Sequence, residues 1–100
     1  MIVANFTYGD EFVFEMSGHA EYDESGKDIV CAAASSIAIT SLKAIDKFLN
    51  KEDYVLIEND GYLKLIVKNN NDEVQLLLEN LIETLQELES QFPRYIKIKQ

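Results

Sequence analysis

The sequence predicts an α+β domain, a two-layer sandwich of order β-β-α-β-β-α-β. Its sheet is expected to be mostly antiparallel, with two helices on one face. Three observations point there. Gly9-Asp10 and Asn59-Asp60-Gly61 are turn signals, each set between short runs of strand-forming residues. Each hairpin is followed by a long segment with helical spacing, the first rich in small residues and the second striped with leucine. The C-terminal run Tyr95-Ile96-Lys97-Ile98-Lys99 alternates as a last strand does. Strands and helices that each keep one polar face require two layers. One hundred residues make one domain, 1–100.

The elements follow in chain order. Ile2, Ala4, Phe6 and Tyr8 share one face of a first strand over residues 2–8. Phe12, Phe14 and Met16 alternate with Val13, Glu15 and Ser17 in its hairpin partner. Ala20 to Lys27 is a polar connector, and its glycine and charge suggest a mobile loop. Asp28 is a good N-cap for a helix expected to run from Ile29 to Asn50. Ile29, Ala33, Ile37, Ser41, Ala44, Ile45, Phe48 and Leu49 approximate its apolar stripe. Tyr54–Glu58 and Tyr62–Lys68 form the second hairpin, and Asn69–Asp72 ends it and caps the next helix. There Val74, Leu77, Leu78, Leu81, Leu85 and Leu88 lie to one side, with Glu79, Glu83, Gln86, Glu87 and Glu89 facing water. Pro93 stops it.

Composition narrows the class. A 47% hydrophobic content supports a real core, and one proline with four glycines argues against disorder. The net charge of −9 disfavours nucleic acid as a direct partner and suits a basic protein or peptide, although acidity also serves plain solubility. No 18-residue apolar run is read along the chain, so no membrane association is expected. The N-terminal residues do not read as a signal peptide. A lone cysteine makes no internal disulfide, which fits a reducing cytoplasm.

The chemistry concentrates where the second strand ends and the first helix begins. The one histidine, His19, stands just past the strand, and the one cysteine, Cys31, falls in the first turn of the helix. The helix dipole there favours a thiolate. Cys31 as nucleophile with His19 as base is the sharp reading; a buried small residue and an unrelated surface histidine is the bland one. Gly18 suits a close backbone approach or an ordinary strand end. Asp28 caps the helix, and a second role in orienting His19 or shaping the loop competes for the same oxygens. Ser35, one turn beyond Cys31, either braces the thiolate or bonds the carbonyl four residues back. The N–H groups of Cys31 and a neighbour are candidates for an oxyanion hole.

Other chemistries find less support. A structural zinc needs about four Cys or His ligands, and this chain has two such residues. No metal or other cofactor is expected. There is no glycine-rich phosphate loop and no Gly-x-Ser-x-Gly elbow.

Gly18-His19-Ala20 and Gly26-Lys27-Asp28-Ile29-Val30-Cys31-Ala32-Ala33-Ala34-Ser35 resemble the bacterial ribosomal-processing cysteine protease family. That family's pattern is Gly-His-Ala, a variable loop, then Gly-x-Asp-Ile-Val-Cys-Ala-Ala-x-Ser. The likeness is close over residues 18–35, and length and element order agree over the whole chain. The resemblance implies a cytoplasmic homodimer that removes a short N-terminal extension from a large-subunit ribosomal protein precursor. It points to Cys31 and His19 as the catalytic pair, with Gly18, Asp28 and Ser35 at supporting motif positions. The rival is a non-enzymatic dimeric module that binds a basic ribosomal protein.

Overall fold

Alternation in the first 17 residues produces a hairpin of β1 (Ile2–Thr7) and β2 (Phe12–Ser17), paired antiparallel from Val3↔Ser17 to Thr7↔Val13. The computed structural model describes residues 1–24 and 28–100. It continues with α1 (Ile29–Asp46), a 3₁₀ turn at Lys51–Asp53, β3 (Tyr54–Asn59), β4 (Tyr62–Val67), α2 (Asp72–Gln91) and β5 (Ile96–Lys99). The sheet runs in the order β3-β4-β2-β1-β5, with β1 and β5 parallel and the other neighbours antiparallel. The expected mostly antiparallel α+β sandwich is therefore the fold.

Register decides which face is dry. Ile2, Ala4, Phe6, Phe12, Phe14, Leu63, Leu65, Val67 and Ile96 all point into one buried cluster. Val30, Ala34, Ala38 and Ile45 of α1 join it, as do Val74, Leu78, Leu81, Ile82, Leu85 and Leu88 of α2. Each fully buried leucine contributes about 1.5–3 kcal/mol of transfer free energy. Both helices thus cover the same side of the sheet.

Several expectations shift. The buried stripe of α1 is not the one that begins at Ile29. Ile45 is buried as expected and Ala33, Ile37 and Leu49 pack partly buried on the core, but in the first half of the helix the buried residues are Val30, Ala34 and Ala38, while Ile29 is 55% exposed and Phe48 49% exposed. α1 packs closely against α2, an approach that small side chains permit. The helix also ends at Asp46 rather than Asn50, and the Lys51–Asp53 turn that follows was not expected. Glu89 does more than face water: its Oε2 accepts the Ile98 N–H at 2.8 Å, satisfying a donor of β5. Finally, α1 has a mean hydropathy of 1.5 over 18 residues, long and apolar enough by length and composition to cross a membrane. That revises the reading that no such segment exists. The helix nevertheless puts one face into the core and carries Ser35, Ser36, Thr40, Lys43 and Asp46 on exposed positions.

Candidate active site

Three chain segments converge at one end of the sandwich: the exit from β2, the start of α1 and the β3–β4 turn. The Gly18 N–H donates to the Gly61 carbonyl at 2.9 Å, tying the first to the third. Gly18 has φ +92°, and a Cβ there would run into the Met1 carbonyl oxygen. The close-approach reading of this glycine is the one the backbone requires. His19 follows at once and lies over the turn: a Cβ on Gly61 would stand 2.8 Å from its Nε2.

The second convergence is built on Asp28. Its Oδ1 accepts the N–H groups of Val30 and Cys31 at 3.0 Å each, as a helix cap should. Its Oδ2 accepts the N–H groups of Tyr22, at 2.9 Å, and Asp23, at 3.4 Å. One carboxylate thus fastens the segment after His19 to the first turn of α1. Burial, with only 8% of the residue exposed, pushes the Asp28 carboxyl up, but these four backbone donors outweigh it and hold the group below the ordinary 3.8. Among the described residues Asp28 makes no hydrogen bond to His19, so it holds the loop and the helix rather than the imidazole.

With the loop so fastened, the Ala20 N–H donates to Cys31 Sγ at 3.2 Å. His19, Cys31, Ser35 and Asp60 line the same opening, and a cleft of about 190 Å³ continues from it past Met16, Ala38, Ile39 and Leu63. The structure therefore brings the lone histidine and the lone cysteine together, with Ser35 exposed on the adjoining wall. No hydrogen bond involves the Ser35 hydroxyl among the described residues; it is Ser41 Oγ that bonds the carbonyl four residues back, that of Ile37, at 2.8 Å.

One expectation fails on this geometry. The Cys31 N–H is not free to receive an oxyanion, because Asp28 already accepts it, and the Ala32 N–H donates to the Asp28 carbonyl at 3.1 Å. The amide that reaches the sulfur is instead that of Ala20. Sequence reasoning also missed Tyr22, whose ring meets Phe92 and Tyr95 edge-on at centroid distances of 5.5 and 5.0 Å. It missed the part of Gly61 as well, although the turn itself was signalled by Asn59-Asp60-Gly61. The motif positions Gly26 and Lys27, and with them Ser25 of the expected mobile loop, lie outside the described residues.

The sequence profile of the family described as cysteine protease Prp matches residues 1–97. The chain belongs to this family. It is 35% identical over 103 residues to the ribosomal processing cysteine protease Prp of Staphylococcus aureus, with 98% of this chain and 97% of that protein covered. Prp of Bacillus subtilis strain 168 is 26% identical over 91 residues, covering 85% and 81%. The crystal structure of S. aureus Prp with a covalently linked product peptide superposes with a TM-score of 0.87 at 34% identity, covering 99% of this chain and 98% of that one. A second S. aureus Prp structure, with a substrate peptide, gives 0.84 at 30% identity over the full length of both chains. Membership of Prp makes the chain a cysteine peptidase, a hydrolase involved in ribosomal processing, and sets aside the non-enzymatic binding module.

Proposed function

We propose that this chain is a single-domain cysteine endopeptidase that removes a short N-terminal extension from a large-subunit ribosomal protein. Cys31 is the nucleophile and His19 the general base and acid. The observation that carries the reading is the shared cleft of His19 and Cys31 with the Ala20 N–H on Sγ. In the first half-reaction His19 takes the Cys31 proton, and Sγ attacks the scissile carbonyl carbon. A C–S bond forms, and the carbonyl π pair moves to oxygen. Collapse breaks the C–N bond, and His19 protonates the departing amine. A water that gives its proton to His19 then attacks the thioester, and the C–S bond breaks to release the acid and the thiol. The Ala20 amide stabilises the sulfur while it is anionic.

The names of the relatives, which describe ribosomal processing, and the peptides held by two of the S. aureus structures support the substrate class. The net charge of −9 favours encounter with a basic ribosomal protein without choosing the bond. The site of action is the cytoplasm. Exposed Ile39 on α1, with exposed Leu56 and Ile57 on the free edge strand β3, supports the homodimer. The decisive test is to incubate the protein with the precursor ribosomal protein of the same cell and read the products by intact mass. One cut, lost in Cys31→Ala and in His19→Ala, is the expected result; a precursor left intact by the wild type overturns the reading.

A further inference from the structure

A histidine that serves a nucleophile is held in place by a third group, commonly a carboxylate or amide bonded to its far nitrogen. Here no side chain among the described residues hydrogen-bonds the His19 ring. Asp28, the nearest acidic motif residue in sequence, has its carboxylate engaged by Val30, Cys31, Tyr22 and Asp23. The ring lies against the backbone of Gly61. From the point where a Cβ on Gly61 would stand, Nε2 is 2.8 Å away, Cε1 3.3 Å and Cδ2 3.5 Å. These are one ring nitrogen and the two carbons bonded to it, so one corner of the imidazole is seated against Gly61. The Gly18 N–H to Gly61 carbonyl bond, at 2.9 Å, fixes the distance between the segment that carries His19 and this seat. The turn closes the β3–β4 hairpin, which is in register from Tyr54↔Val67 to Asn59↔Tyr62, so the seat belongs to a regular element rather than a free loop.

We propose that the Asn59-Asp60-Gly61 turn orients His19, with Gly61 as a positioning residue whose missing Cβ gives the imidazole its place beside Cys31. The proposal rests on His19 being the base. A simpler account is that Gly61 is glycine only because its φ of +69° strains any residue with a side chain. The two accounts separate experimentally. Backbone strain is the same whatever stands at position 19, whereas a clash with the ring vanishes when the ring does.

The test compares Gly61→Ala in the wild type and in His19→Ala by thermal melting. It adds the rate of Cys31 alkylation by iodoacetamide against pH, and kcat and KM on the precursor protein. Gly61→Ala is expected to lower Tm in the wild type, with at least half of that loss absent in the His19→Ala background. It is expected to lower kcat by about 100-fold, as a misplacement of about 1 Å does, with KM within about twofold. Its alkylation profile moves to that of His19→Ala. Gly61→Asn, whose side chain tolerates positive φ but still carries a Cβ, behaves the same way. Equal Tm losses in both backgrounds, or failure to fold in both, overturn the proposal, as does a wild-type alkylation profile in a folded Gly61→Ala protein. The melts do not depend on activity, so they judge the seat even if the wild type leaves the precursor uncut.

Discussion

At the scale of single residues, Asp28 joins the segment that carries His19 to the helix that carries Cys31, and its two oxygens divide the work. Oδ1 caps α1, and Oδ2 holds Tyr22 and Asp23. Asp28→Asn keeps an acceptor for the cap, since asparagine caps as well as aspartate, but turns an NH₂ group toward one pair of donors. Far-UV circular dichroism is therefore expected to stay unchanged, while kcat/KM on the precursor falls by about tenfold or more, the order expected when reacting groups are misplaced. The same carboxylate makes stability depend on acid. Its pKa is lowered by folding, so its contribution is complete above the ordinary 3.8 and is lost as pH falls through the lower folded value. The Tm difference between wild type and Asp28→Ala should accordingly be constant near neutrality and shrink as pH falls below about 4. Cys31 behaves differently, because its sulfur is only partly buried. Cys31→Ala should cost no more than about 1–2 kcal/mol in urea unfolding while abolishing cleavage.

At the scale of elements, the instructive case is α1. Its sequence offers apolar residues on more than one face, and isoleucine outranks alanine on any hydropathy scale. A stripe through Ile29, Ala33 and Ile37 is the natural choice from sequence, yet Val30, Ala34 and Ala38 are the buried ones. β5 and α2 were legible because each has one apolar set and one polar set. In α1 the decision fell to available space, which sequence alone does not record. Ala38→Leu should therefore lower stability by about 1–3 kcal/mol through overpacking, whereas Ile29→Ser should change it by less than about 0.5 kcal/mol; urea titrations of the two decide the phase. The site was legible to a similar degree. His19, Cys31 and the cap at Asp28 were visible as residue types at a strand–helix junction. The Ala20 amide and the Gly61 seat were not, since both act through backbone, and backbone contacts between distant segments leave no mark on residue type.

At the scale of the whole molecule, charge shapes encounter. An acidic enzyme that meets a basic substrate gains association rate from long-range attraction, and salt screens it over about 8–10 Å near physiological strength. Raising salt should lower kcat/KM by a few-fold through KM and leave single-turnover chemistry at saturating substrate unchanged; stopped assays at several salt concentrations measure both. The strand order also has a temporal meaning. β1 lies between β2 and β5, and its parallel partner at Ile96–Lys99 is made after the other strands of the sheet. A chain emerging from the ribosome holds β1 with one edge open until residues 96–99 arrive, and such long-range parallel pairing is slow to form. The described walls of the cleft, by contrast, all come from residues 2–63. The cleft is written in the first two-thirds of these residues, and the leucine core of α2 with β5 in the last third. The sheet beside the cleft should therefore stay unfinished until residues 96–99 have emerged.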